Sequence, residues 1–432
     1  MSAKDLSIEI KQFVKTKKRV SRNLKKIRRP WLPLQSNSEL AQSGGAEIMK
    51  LLTNEHVSDF PAPVFVGRQP ESPQLALPKK NWPGITLTRM TNVRVLGNCN
   101  FIIRDGKAIH PDIYTPERDR SPIEMYGRAR MDEQFKRIKI SVGLTHGHLP
   151  VAVNLCDQTP YNYAHWLTEV LPKLALIEDI PELCDAPILV DHGLAENLLE
   201  SIEALTGPGR KIIMVDRYDN ICVDTLYNIS PTSYCPHEFR DFFKTNQRGF
   251  QFFFSDVALN KLRDSLRRRY SKYANCRPRS IYLKRTTLWA YNDRNIINID
   301  DIENIIDDFS IETINVSGMS IAHQARIFMN AKLIVAPTGA ALANMIFAPP
   351  GCRIIVMAAS YHGATYDYFN QIAHILGHQL QFVIGPQAED NRYHMNRNYS
   401  IDPADLKQAL SQSIPRRVQE VQTGVQRSSR AA

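Results

Sequence analysis

Leu333-Ile-Val-Ala-Pro-Thr-Gly-Ala-Ala-Leu-Ala-Asn-Met-Ile-Phe-Ala-Pro-Pro-Gly351 reads as a buried strand that ends at Ala336, a tight turn through Pro337-Thr338-Gly339, and a small-residue helix from Ala340 to Phe347. Gly339 lets a ligand come close to the backbone. The amides that follow, with the helix dipole behind them, make an anion site. Thr338 stands where it can cap the helix or donate to a phosphate. The stretch is neither G-x-G-x-x-G nor a P-loop, because a second spaced glycine and a Lys are missing. A purely structural strand-to-helix turn is the plainer alternative.

Outward from this point the chain alternates. Upstream, Val257 to Tyr273 reads as a helix, Ser280 to Lys284 as a strand and Ile299 to Phe309 as a helix. Ile311 to Asn315 (strand), Ser320 to Met329 (helix) and Lys332 to Ala336 (strand) lead into the turn. Arg353 to Met357 (strand), Thr365 to Leu376 (helix) and Gln381 to Ile384 (strand) follow it. A similar series runs from Leu149 to Val215, with helices at His165 to Glu178 and Ala195 to Leu205. Strands alternating with helices imply βα units and parallel sheets, here in two α/β halves that meet near residue 250. Between Ile85 and Ile113, short β-rich pieces separated by Gly and Asn suggest hairpins. The division predicted is 1–34 a basic arm, 35–84 a linker, 85–250 an N-terminal domain, 251–400 a C-terminal domain and 401–432 a polar tail. Two doubly wound domains facing one another leave a cleft, and ligands in such folds sit beyond the carboxyl ends of the strands.

Composition narrows the class. The 432 residues are 43% hydrophobic and 23% charged, ordinary for a globular protein. No apolar run is long enough for a membrane-spanning helix. Seven scattered Cys without a C-x-x-C pair suit a reducing compartment and argue against a zinc module. The net charge is +10, yet residues 1–30 hold eleven Lys and Arg against Asp5 and Glu9, so nearly all of it belongs to that segment. There Leu6, Ile10, Phe13, Val20, Leu24, Ile27 and Trp31 recur at helical spacing with the bases opposite. A basic amphipathic helix of this kind lies on an anionic membrane, with a solvated arm and a nucleic-acid contact as the alternatives; no nucleic acid is expected. Without the apolar core of a secretory signal, the chain reads as cytoplasmic, peripheral at the inner face of the plasma membrane.

Two more pieces carry chemistry. In Tyr161-Asn-Tyr-Ala-His-Trp-Leu-Thr-Glu-Val-Leu-Pro172, His165 and Glu169 are i, i+4 on one helical face. Both are credible general bases, and a Glu that holds a His fixes its tautomer and raises its basicity. A hydrogen-bonded core histidine is the bland reading. Arg279-Ser-Ile-Tyr-Leu-Lys-Arg285, then Asp293-Arg-Asn-Ile-Ile-Asn298, delivers Lys284 and Arg285 to a strand end beside Arg294, which suits diphosphate neutralisation. No D-x-D occurs, and His146, His148 and His165 lack zinc spacing, so no metal ligand is expected.

In order, the three pieces resemble glycosyltransferase family 61, in its bacterial capsular-polysaccharide branch. Asn162-Tyr163-Ala164-His165-Trp166-Leu167-Thr168-Glu169-Val170-Leu171-Pro172 is similar to that family's Asn-Tyr-x-His-Trp-x-x-Asp/Glu-x-x-Pro element. Tyr282-Leu283-Lys284-Arg285 with Arg294-Asn295-Ile296-Ile297-Asn298, and Gly339 to Gly351, correspond to the other two. The resemblance spans roughly Val151 to Gly385 and implies a GT-B-like fold of two Rossmann-like domains facing a cleft. It implies inverting, metal-independent transfer from a nucleotide sugar, UDP-linked, to a polysaccharide or lipid-linked glycan, with no cofactor. Glu169 is then the base with His165 orienting it, or the reverse. Arg285, Arg294, Asn298, Thr338, Gly339, Ala340 and Asn344 fall on the donor side, and Asn162, Tyr163 and Trp166 on the acceptor side. Many members have His where Thr338 stands and Glu where Val356-Met357 ends the next strand, so an imidazole contact to the donor would be absent and a carboxylate contact to the nucleotide is open. A polysaccharide pyruvyltransferase-like enzyme, or a binding protein with a decayed donor site, are the rival readings.

Overall fold

The computed structural model describes residues 27–71, 74, 77–110, 123–124, 129–132, 134, 136–235, 253–274, 277–285, 294–389 and 394–414. The strand expected before the turn is Ala331–Pro337, at the centre of a six-stranded sheet. Its order is Glu312–Ile314, Arg279–Leu283, Ala331–Pro337, Arg353–Ser360, Gln379–Pro386 and Val64–Val66, and every pair is parallel. Alternate side chains serve two cores. Ile334 and Ala336 join Ile281, Ile354 and Val356 on one face, while Leu333 and Val335 join Tyr282, Ile355 and Met357 on the other. A strand buried on both faces cannot alternate with polar residues, hence its unbroken apolar run. Helices Ile299–Asp308 and Pro403–Ser413 close the second face through Ile302, Ile306, Leu406 and Leu410.

Two expectations fail here. The presumed linker 35–84 carries strands, among them Val64–Val66 at the edge of this sheet. Residues 403–413 of the presumed polar tail form a helix with Asp402 as its cap, bonded to the Ala404 amide at 2.8 Å. Both were missed for the same reason: three or four apolar residues among polar ones acquire a partner only from the sheet they meet.

The other half holds a mixed sheet. Ile212–Val215, Ile188–Asp191, Thr145–Asn154 and Asn220–Ile229 are parallel neighbours, as the βα alternation requires. Beyond them the sheet continues antiparallel through Ile85–Leu96, Ile102–Arg104 and Lys107–His110. Asp105 and Gly106 both have left-handed φ (48° and 72°), the backbone that a two-residue hairpin requires. The doubly wound expectation therefore fits four strands of this sheet, not the whole. Trp31–Ser36 extends it further. Trp31, placed by its spacing on a helical stripe, instead pairs with Lys139 in a strand, with Arg137 and Lys139 near its ring at 6.0 and 5.9 Å. Residues 1–26 of the arm, 415–432 of the tail and the expected meeting point near 250 lie outside the described residues.

The helices of the two halves share one core. Trp166, Leu171 and Leu174 from the first half lie in the same buried cluster as Leu262, Phe328, Met345 and Ile354 from the second. Fully burying one such Leu contributes about 1.5–3 kcal/mol, so the continuous interior strongly favours the halves packed together. Among the described residues, no helix is long and apolar enough to cross a membrane.

Candidate active site

The helix that carries His165 opens at Asn162, whose side chain accepts the Ala164 amide at 2.9 Å. One turn, Tyr163–His165, is α-helical; Trp166–Val170 is a π turn, closed by the Leu171 amide on the Trp166 carbonyl, and Leu171–Ala175 is α again. Thr168 donates back to the Ala164 carbonyl at 2.8 Å, within the widened segment. Single π turns are frequent at functional sites. This one carries Glu169, whose Oε1 meets Nδ1 of His165. Of the two side chains His165 is the more accessible, at 19% against 8% for Glu169. Burial alone would lower the His165 pKa, but the charge and hydrogen bond of Glu169 outweigh it and hold it above its ordinary value.

Around this dyad stand residues that no sequence spacing reveals. Thr232 Oγ1 donates to the Glu169 carbonyl at 3.2 Å. Three residues on, Cys235 is buried, and burial, followed by the neighbouring Glu169 carboxylate, keeps its thiol protonated. The Tyr368 hydroxyl lies 2.9 Å from Thr168 Oγ1, and its ring meets His165 edge-on at 5.7 Å. Burial raises the Tyr368 pKa and Glu169 raises it further.

The turn forms as read, with two differences. Ala340–Phe347 winds as a 3₁₀ helix, and Thr338 does not cap it. Gly339 takes the cap position, while the Thr338 amide donates to the Met357 carbonyl at 2.8 Å. Arg285 lies against Gly339: a Cβ added there would stand 3.1 Å from its Nη2. Arg285 Nη1 donates to the Arg294 carbonyl at 2.9 Å. Arg294 is inward, with Nε buried and without a hydrogen-bond partner; burial lowers its pKa. Lys284, expected beside Arg285, is instead paired with Glu303 at 2.7 Å.

Several expected ligand contacts are structural bonds here. Asn298 spends both ends of its amide on the backbone of Ile401, at 2.8 and 3.1 Å. Trp166 is fully buried, with Nε1 on Ser201 Oγ at 2.8 Å. Asn344 accepts from the Tyr163 hydroxyl at 2.7 Å and donates to Gln324 Oε1 at 2.7 Å and to the Ala341 carbonyl at 3.2 Å. Tyr163 and Asn344, expected on opposite substrates, hold each other. Met357 is buried with its side chain in the second core.

That bond joins the first and last of the three sequence pieces. Residues 163–355 match the family model Glycosyltransferase 61. The Glycosyltransferase 61 match covers somewhat less than half of the chain and takes in His165, Glu169, Arg285, Arg294 and the whole turn. It agrees with the resemblance read from the motifs at the level of the family and does not bear on the bacterial capsular branch. Tyr368 and helix Pro403–Ser413 lie beyond it. A comparison with curated proteins returns no match.

Proposed function

We propose that the chain is a glycosyltransferase that moves a sugar from a nucleotide-sugar donor, UDP-linked, to a hydroxyl of a polysaccharide or lipid-linked glycan, with inversion and without a metal ion, in the synthesis of a surface polysaccharide. One observation carries the reading: the Tyr163–Asn344 bond fastens the helix bearing the His165–Glu169 dyad to the turn that faces Arg285. A proton acceptor and an anion site are thereby built on one continuous piece of core.

His165 takes the part of general base. Its Nδ1 is held by Glu169, which leaves Nε2 as the ring nitrogen that receives the acceptor's hydroxyl proton. The carboxylate fixes the tautomer and stabilises the imidazolium that forms, as the buried acid of a hydrolytic triad does. This is the reverse of the first assignment from sequence, and the lower exposure of Glu169 favours it. As the acceptor oxygen bonds to the anomeric carbon, the bond to the diphosphate breaks. The leaving charge falls to Arg285 and to Arg294, whose unpaired buried Nε gains a partner when an anion arrives.

Purified protein given UDP-sugars and a glycan acceptor should form product. His165→Ala should then lose about 10²–10⁴-fold in turnover, with the circular dichroism spectrum of the folded protein retained. A variant near the wild-type rate overturns the base assignment, and absence of product with every UDP-sugar overturns the reading itself. The basic segment 1–30 would hold the enzyme near lipid-linked acceptors, supported by its charge excess. Deleting it should abolish sedimentation with anionic liposomes, and undiminished sedimentation would sink that part.

A further inference from the structure

We propose that His165, Glu169 and Cys235 form a binding site for one zinc-class divalent ion, and that the ion switches off the transfer reaction by occupying its base. The second half of this statement rests on the function proposed above; the first does not. One potential ligand atom from each of the three residues lies within 4.8 Å of the other two. No spacing in the sequence announces the cluster, because Cys235 reaches the dyad only through the tertiary fold.

The donor set selects the ion. An imidazole nitrogen and a thiolate suit zinc, cobalt or cadmium, whereas magnesium and calcium prefer an all-oxygen shell. Three protein ligands with a fourth position left for water or another small ligand is the pattern of reactive rather than structural zinc sites. With Zn–N near about 2.0 Å and Zn–S about 2.3 Å, tetrahedral ligands stand about 3.5 Å apart, so the thiol closes on the dyad by at most about 1.3 Å while the bonded His165–Glu169 pair opens to admit the ion. The charges close as well. A thiolate, a carboxylate and a neutral imidazole cancel a dication, so the loaded site is neutral where an unbalanced charge would be costly. Binding releases the thiol proton to solvent, together with the imidazole proton when His165 is charged.

The frame is already held. His165 and Glu169 share one turn of helix. The segment bearing Cys235 is fastened by Thr232 to the Glu169 carbonyl and by the strand pair Ser233–Tyr234 with Phe253–Phe254. The Tyr368 ring packs edge-on against the imidazole from a different element. An ion seated here takes the carboxylate that orients the ring and a nitrogen lone pair of His165 itself. The proton of an acceptor hydroxyl then has nowhere to go.

Cobalt(II) is the probe, added to the full-length protein freed of metal. One equivalent should produce tetrahedral d–d bands in the visible and a thiolate-to-cobalt charge-transfer band in the near ultraviolet. Cys235→Ser keeps size and a polar hydrogen, and should retain the circular dichroism spectrum while losing the charge-transfer band. No such band in the wild-type protein, or an undiminished band in Cys235→Ser, overturns the site. For the functional half, one equivalent of zinc should lower the wild-type transfer rate at least tenfold, reversibly with a chelator, and the Cys235→Ser rate less than twofold. Equal inhibition of both proteins, or none of the wild type, overturns the switch. The cobalt spectrum is read without turnover, so a protein that binds cobalt as described but transfers no sugar refutes the proposed function and leaves the site standing.

Discussion

Replacing Asn344 by Ala separates two roles that sequence alone cannot tell apart. As a donor ligand, Asn344 would matter for affinity and little for stability. As placed, it is fully buried and all its bonds are to protein: Tyr163, Gln324 and Ala341. Truncation strands two side-chain groups, the Tyr163 hydroxyl and the Gln324 amide oxygen. Burial holds the Tyr163 hydroxyl strongly in its protonated form, so it cannot relieve the loss by ionising. Leaving a buried polar group unpaired costs about 1–3 kcal/mol each, hence about 2–6 kcal/mol for the pair, with the small cavity adding to the upper end. Urea unfolding followed by tryptophan fluorescence is the assay, since fully buried Trp166 lies in the shared core. The midpoint should fall, and Tyr163→Phe should recover part of the loss when added to Asn344→Ala, because it removes one stranded group. A variant of wild-type stability that fails to bind nucleotide would refute the reasoning and return Asn344 to the donor site.

The remaining predictions follow from the dyad and from the last helix. The rate kcat/KM should rise with pH as His165 loses its proton, with the midpoint above the ordinary histidine value. Glu169→Gln removes the raising influence and leaves burial, so that midpoint should move to lower pH along with a lower plateau; an unmoved midpoint would mean that another group sets the limb. The raised pKa also makes the dyad a source of stability that is fully present below the unfolded value and lost as pH rises through the folded one, which unfolding at several pH values would detect. Leu410→Ala, in the helix first read as a polar tail, should cost about 2–5 kcal/mol because that side chain is fully buried against the second core. An unchanged melting temperature would detach residues 403–413 from the folded unit.

The parallel sheet of the second half is legible from residue order alone. Leu333 to Ala336 has no polar residue to spare for solvent, and Pro337-Thr338-Gly339 cannot continue a strand, so strand and turn follow from local chemistry. The i, i+4 spacing of His165 and Glu169 likewise fixes their contact wherever that helix packs, because both side chains hang from one helical face. The apolar residues of 35–84 and 401–414 carried no such signal. Val64–Val66 is three residues long, and Leu406, Ala409 and Leu410 sit among polar neighbours, so each became structure only by docking on a sheet formed elsewhere. Trp31 shows the converse: its spacing suits a helical stripe, but the neighbouring strand Arg137–Ile140 draws it into a sheet, where it pairs with Lys139. Roles divide the same way. Residue type nominated Asn298, Asn344 and Trp166 as ligand contacts, yet an amide or an indole nitrogen serves protein and substrate equally well. Only the fold shows these groups bonded to Ile401, Tyr163 and Ser201, and only the fold brought Cys235 and Tyr368 to a dyad that lies far away along the chain.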